Sequence, residues 1–303
     1  MVRNGMTVVL GGIVLATALV VQRPRAQTPD PVAESTMDAS ALRFNRVRLS
    51  TGIELEVAER GPVDGKPVLF LHGMTDSWFS YSRILDNLPA NIRAIVPTQR
   101  GHGDSEKPEC CYRIPDFARD AVALLDALGS ERANVVGHSM GSFIAQRIAI
   151  DYPDRVDRLA LIGSGTTVAT PPVIEFSQVA RQLTDPIAES FVRDFQVSTA
   201  HKPLPPEFLT AVVNESMKVP ARVWRSILDS LLNSDAKGEL SRIRANTLIM
   251  WGEQDVFWDR SEQNGLLRAI PRARLITYAD VAHAPHWEQP DRFLADLLNF
   301  LTP

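Results

Sequence analysis

Ser139 stands in the run Gly137-His138-Ser139-Met140-Gly141, where two small residues leave space for the backbone to fold sharply around one hydroxyl. A serine presented in that way can attack an acyl carbon if a histidine takes its proton and a carboxylate fixes the tautomer of that histidine. His283 and Asp255 supply those types, in the chain order Ser, Asp, His, which is the order of triads built around a strand-to-helix nucleophile turn. Singly, each has a plainer reading as a glycine-rich turn, a turn aspartate or a surface histidine. Together, each falls just beyond an expected strand end, and the carboxyl ends of parallel strands share one edge of a sheet.

A second turn, Leu71-His72-Gly73-Met74, follows the apolar run 68–70. There it can supply half of an oxyanion hole, with the backbone N–H groups of Met74 and Met140 aimed at the developing charge; losing one such donor typically costs ~3 kcal/mol. The plainer alternative is that His72 only caps a strand. His72, Asp76, Trp78 and His138 flank the two turns and are the candidate substrate contacts. His102 is read as support for the wall of the site. His283 and His286 lie close together, but no His-Glu-x-x-His helix or cysteine cluster accompanies them, so no metal and no cofactor is expected.

These residues need a scaffold that brings strand ends together. Short β-rich runs recur at 44–49, 53–59, 68–71, 92–96, 133–136 and 159–162, return at 247–251 and 274–278, and alternate with helical spacing at 116–128, 142–150 and 290–301. That alternation predicts an α/β fold with a mostly parallel sheet. Ser50, Thr51 and Gly52 form a turn signal that makes the first two runs an antiparallel hairpin. Between 166 and 240 the strand signal stops and helical stretches are broken by Pro171, Pro172, Pro186, Pro203, Pro205, Pro206 and Pro220. This reads as an inserted helical cap (166–240) on a core made of 42–165 and 241–303, and substitutions in it are expected to change substrate preference.

The motifs together resemble the α/β-hydrolase superfamily, in a capped form, over nearly everything from residue 44 onward. The resemblance rests on His72-Gly73, the Arg100-Gly101-His102-Gly103-Asp104-Ser105 turn, the serine pentapeptide, Gly252-Glu253-Gln254-Asp255, and His283 followed by Glu288 and Pro290. It implies an eight-stranded, mostly parallel sheet with flanking helices, and a triad of Ser139, Asp255 and His283. Thr98 departs from the pattern, since many relatives carry aspartate before the Arg-Gly-x-Gly turn. The implied activity is cleavage of a carboxylic ester or lactone through an acyl-enzyme, on a small acyl substrate. Amide cleavage, carbon–carbon bond hydrolysis and cofactor-free perhydrolysis stay open on the same fold, as does a ligand receptor that keeps the pocket. Serine at 139 excludes the chemistries of this fold that need a carboxylate nucleophile.

Composition sets the outer bounds. The chain has 303 residues, 45% hydrophobic and 22% charged, with a net charge of −4. That is ordinary globular usage, and it lacks the basic footprint of a nucleic-acid binder. Arg3 precedes the apolar run 6–21, and polar residues follow to Pro31, which reads as an export segment (1–26) and linker (27–41). Cleavage after Ala26 and retention as a membrane anchor are both open, and either way the catalytic domain is expected outside the cytoplasm. Cys110 and Cys111 are adjacent; they cannot staple a fold, and are read as two thiols or, in an oxidising compartment, a vicinal disulfide. Oligomeric state leaves no mark in the sequence.

Overall fold

A computed structural model describes residues 41–234 and 236–301. The export segment and all but the last residue of the linker lie outside them. Among the described residues no helix is long and apolar enough to cross a membrane.

Eight strands form one sheet in the order β1-β2-β4-β3-β5-β6-β7-β8: β1 (Arg43–Arg48), β2 (Glu54–Arg60), β3 (Lys66–Leu71), β4 (Ile92–Pro97), β5 (Ala133–His138), β6 (Val156–Ile162), β7 (Asn246–Gly252) and β8 (Ala273–Tyr278). β1 pairs antiparallel with β2, and β2 with β4; every later pairing is parallel. The expected hairpin is present, closed by Leu49 and Ile53 across a 2.8 Å hydrogen bond. The central strands read as continuous apolar runs because both faces are covered. Leu69, Leu71, Val135 and Leu161 go to one face, while Val68, Phe70, Val136 and Ala160 go to the other. At the edge, β1 is mostly exposed and carries three arginines, which discourages pairing with further strands.

The first face packs on α2 (Ile114–Ala127), α3 (Met140–Asp151) and α8 (Arg260–Ala269); the second packs on α1 (Ser82–Leu85) and α10 (Pro290–Leu301). Between β6 and β7 lie α4 (Pro171–Ala180), α5 (Glu189–Ser198), α6 (Pro206–Met217) and α7 (Ala221–Leu232), and α9 (Pro285–Glu288) precedes α10. The insertion has its own aromatic centre, where Trp224 meets Phe176, Phe191 and Phe195 at 5.3–6.3 Å. This centre is continuous with the apolar cluster over α3, so the inserted helices and the sheet share one hydrophobic core.

Cys110 and Cys111 are bonded to each other, and the Cys111 carbonyl accepts a 2.7 Å hydrogen bond from Arg100 Nη1. Arg100 also pairs with buried Asp120 through two nitrogens, so the Arg-Gly-x-Gly turn is clamped from beneath. Thr98 donates its hydroxyl to Glu56 and accepts from the Trp78 N–H.

Candidate active site

Only Ser139 separates β5 from α3, and it turns the chain with φ 53° and ψ −122°. A non-glycine residue in such a conformation stores strain of order 1–3 kcal/mol and persists where its surroundings over-determine it. Here they do. A Cβ on Gly137 would lie 2.2 Å from the Gly141 oxygen, and one on Gly141 would lie 2.1 Å from the Leu71 oxygen, so neither position takes a side chain. The Ser139 N–H donates to Ile162 O at 2.9 Å. Met140 opens α3, and its N–H is among the first four that a helix cannot satisfy internally.

Beyond β7, the Asp255 carboxylate is held from two sides. Its Oδ1 accepts from the Phe257 and Trp258 N–H groups at 2.8 and 3.4 Å, and its Oδ2 lies 2.9 Å from His283 Nδ1. A carboxylate can only accept there, so Nδ1 carries the hydrogen and Nε2 keeps the lone pair a general base needs. The loop carrying His283 is tied down by Glu288, whose carboxylate accepts from the N–H groups of Ala282, His201 and Lys202 at 2.8–2.9 Å. That is the physical content of the His283-to-Glu288 spacing. Gly163 lets the imidazole sit close, since a Cβ there would meet His283 Nδ1 at 2.6 Å.

Ser139, His283, Met74 and Met140 line one cavity of ≈ 50 Å³, together with Gly73, Asp76 and His138. Its remaining wall is almost wholly apolar: Phe143 from α3, Val173, Phe176, Phe195, Leu228 and Leu231 from the insertion, and Phe257, Trp258 and Trp287 from the loops after β7 and β8. Gln196 and Thr199 add the insertion's polar contribution. Among the described residues, no lysine or arginine lines it.

Of the four candidate substrate contacts, Asp76 and His138 reach this cavity and His72 and Trp78 do not. His72 is fully buried beneath the turn; its Nδ1–H donates to Gly73 O at 2.8 Å and its Nε2 accepts from Gln99 N–H at 2.9 Å. Both ring nitrogens are spent on shaping the loop. Trp78 packs between Phe44 and Phe79 at the flank of the sheet. His102 donates to Arg100 O within its own turn, in line with a supporting role.

Burial drives most histidines here toward the neutral form. It pushes His102 down to about 4 and His286 to about 3, with the nearby His283 adding to the latter. His72 and His138 are held well below the ordinary histidine range, first by burial and then by neighbouring imidazoles. Burial acts oppositely on an acid: it raises the Asp76 carboxyl from 3.8 to about 7, against hydrogen bonds from Gln196 and Ser80. His286 Nε2 faces Ser80 Oγ at 3.3 Å, away from Asp255, and is not among the lining residues. Sequence reasoning passed over Phe143, Gln196, Thr199, Phe257 and Trp258. Phe257 and Trp258, two and three residues after Asp255, and Phe143, four after Ser139, are close in the chain to candidate residues; Gln196 and Thr199 reach the cavity through tertiary packing alone.

Residues 66–290 match the family model described as alpha/beta hydrolase fold. A 2-hydroxy-6-oxononadienedioate/2-hydroxy-6-oxononatrienedioate hydrolase of Paraburkholderia phymatum is 30% identical over 268 residues, covering 84% of this chain and 93% of that protein. Among solved structures, an esterase from Exiguobacterium antarcticum superposes with a TM-score of 0.76 at 20% identity, over 86% of this chain and 100% of its own. An enol-lactonase from Burkholderia xenovorans gives 0.76 at 22% identity, with the same coverage. At such identities the two structures speak for the fold alone.

Proposed function

The chain belongs to the α/β hydrolase fold family, and from that premise we propose that it hydrolyses a neutral carboxylic ester or lactone with a short acyl part, through an acyl-enzyme on Ser139. In this reading Ser139 Oγ attacks the carbonyl carbon while His283 Nε2 takes its proton, and the Asp255 carboxylate stabilises the imidazolium that forms. The oxyanion is received by the N–H groups of Met74 and Met140. As the carbon–oxygen bond breaks, His283 returns the proton to the leaving alkoxide. A water, deprotonated by the same nitrogen, then attacks the acyl carbon; the bond to Oγ breaks, the acid leaves, and His283 returns the proton to Ser139 Oγ.

The observation that carries the choice of substrate is the wall of the cavity. The Paraburkholderia phymatum relative is named for a dioate, and a dianion placed against this wall would lose its hydration, meet no lysine or arginine, and lie beside the Asp76 carboxyl. Burying an unpaired charge costs far more than burying an ester. The cavity is small, ≈ 50 Å³, and narrowed by Phe143, Phe176 and Phe195, which favours a short acyl chain over a long one.

The test is turnover by the purified protein of p-nitrophenyl esters of graded acyl length, simple lactones, amides, a peracid-forming assay and a 2-hydroxy-6-oxodienedioate. Higher kcat/KM for acetyl to butyryl esters or lactones than for the rest supports the proposal. Preference for the dioate replaces it with carbon–carbon cleavage, and binding without turnover of any of them replaces it with a receptor. We also propose that the protein is exported by residues 1–26, to be read by fractionating cells that express the full chain; a cytoplasmic product would reject it.

A further inference from the structure

Thr75 has φ 68°, a left-handed conformation that a β-branched residue adopts only where something holds it. It sits between Met74, the proposed oxyanion donor, and Asp76, inside a turn closed by the Asp76 N–H on Gly73 O at 3.3 Å. What surrounds it is a buried polar cluster supplied by the inserted helices. The Gln196 side-chain amide, on α5, donates toward Asp76 Oδ1 at 3.1 Å, Thr75 Oγ1 at 3.3 Å and Ser216 Oγ at 2.8 Å. Ser216, on α6, passes its own hydrogen to Val212 O at 3.0 Å and is free to accept. All four side chains are nearly inaccessible to solvent.

The same end of α5 also touches the other half of the machinery. The Thr199 carbonyl accepts the His283 N–H at 3.1 Å, and the Thr199 hydroxyl donates to Gln196 O at 2.7 Å. One helix end thus grips both the turn that follows the proposed oxyanion donor and the loop of the proposed base. A buried carboxyl such as Asp76, kept where an apolar residue would be cheaper to bury, marks a group retained for a task.

We infer that Gln196 is a positioning residue for the oxyanion hole, holding the Thr75–Asp76 turn in the shape that aims the Met74 N–H at the reacting carbonyl. This rests on the serine-hydrolase reading above. It assigns the insertion a part in transition-state stabilisation as well as in substrate choice. A group that acts only on the transition state lowers kcat and leaves KM in place when it is lost, whereas a ground-state substrate contact raises KM.

The experiment compares wild type, Gln196→Met and Ser216→Ala. Gln196→Met keeps the shape of the side chain and removes its donors. Ser216 is not among the residues lining the cavity, and its side chain touches the site through its hydrogen bonds with Gln196 and Thr75. With p-nitrophenyl acetate, Gln196→Met should lower kcat by about ten- to a hundredfold, short of the full loss of an oxyanion donor. Ser216→Ala should lower kcat by about three- to tenfold, with KM for both variants within about threefold of wild type. A boronic acid, which forms a tetrahedral adduct on serine, should lose affinity in proportion to kcat/KM. If Gln196→Met does not fold, Ser216→Ala decides alone. Wild-type kcat in both variants, or a raised KM at unchanged kcat, overturns the inference. A fluorophosphonate probe separates the two levels: labelling of wild type at Ser139 leaves the serine-hydrolase reading standing whatever Gln196 does, and failure to label Ser139 removes both.

Discussion

Ser139 is fixed mainly by sterics close to it in the chain, because Gly137 packs against Gly141, and Gly141 against the Leu71 carbonyl of β3, too closely for a side chain. Gln196 reaches the same cavity from 121 and 120 residues away in sequence, through hydrogen bonds to Thr75 and Asp76. The first arrangement is local and steric; the second is long-range and polar. The difference teaches where each part of the site can fail. A local turn survives anything that leaves its two glycines and their strand in place, whereas a polar bridge between elements depends on every member of its chain.

The sharpest test of the local half is removal of the proposed nucleophile. Ser139→Ala should lower kcat by about 10⁴- to 10⁶-fold, the scale of nucleophile loss in such triads, with unchanged thermal unfolding, since the hydroxyl serves chemistry rather than packing. Normal turnover in this variant, or fluorophosphonate labelling elsewhere, would end the serine-hydrolase reading.

Next in size is the contrast between two histidines three residues apart. His283→Ala should lose about 10³-fold or more in kcat, because a base at Nε2 and its carboxylate act as one unit. His286→Ala should instead lower stability, since its ring packs against Tyr81, His138, Trp287 and Phe293 in a buried site. Kinetics in which the two substitutions exchange these effects would reverse the assignment.

The same division explains what could be read from the sequence. The six strands from β3 to β8 were legible because they are apolar and alternate with helical material, and the hairpin of β1 and β2 because Ser50, Thr51 and Gly52 mark the turn between them. β6 begins at Val156, earlier than its apolar part suggests, because Asp157 and Arg158 occupy its less buried end. α8 was missed: its stretch is polar and contains Gly265, and its one clear signal is Asp259, which accepts from the Ser261 and Glu262 N–H groups as an N-cap. Ser139, Asp255 and His283, the proposed triad, were legible because each lies just beyond the end of a strand. His72 and Trp78 were read as substrate contacts because nearness in sequence to a functional turn does not say which way a side chain points. Gln196 carried no local signal, because a glutamine in a helix is unremarkable until the loop it touches is known.

Asp76 gives a smaller effect, read in stability. Its carboxyl titrates near about 7 in the fold against 3.8 ordinarily, chiefly through burial. Below pH 4 it is protonated in both states and contributes no penalty. From pH 4 to 7 the unfolded chain releases the proton while the folded chain keeps it, so stability from this group falls as pH rises, and above 7 the penalty is constant. Asp76→Asn removes the titration. Its stability relative to wild type should therefore rise between pH 4 and 7, by up to about 4 kcal/mol at about 1.4 kcal/mol per pKa unit. Urea unfolding of both proteins across that range measures it, and parallel pH curves would show that the folded carboxyl is not perturbed.

The smallest expected effect probes the seam between the two halves. Phe143, on α3 just after the proposed nucleophile, lines the ≈ 50 Å³ cavity over Ser139 and also a groove of ≈ 640 Å³ bounded in part by Arg113, Gln146, Arg147, Asp229 and Asn233. Its ring borders both and is the wall expected to separate them, packed 5.4 Å from that of Trp258. Phe143→Ala removes the wall without touching the glycines that shape the elbow or the Gln196 bridge, so it should change which acyl chains fit while leaving the chemistry intact. The ratio of kcat/KM for p-nitrophenyl octanoate over acetate should rise by about tenfold, consistent with ~1–3 kcal/mol for a hydrophobic group gaining or losing its place in a pocket. The cost falls on the fold, at about 3–5 kcal/mol for truncating a buried phenylalanine, so the assay belongs well below the melting temperature of the variant. A ratio equal to that of wild type, in a variant shown to be folded, would place the limit on acyl length elsewhere in the wall, with Phe176 and Phe195 of the insertion next to be truncated.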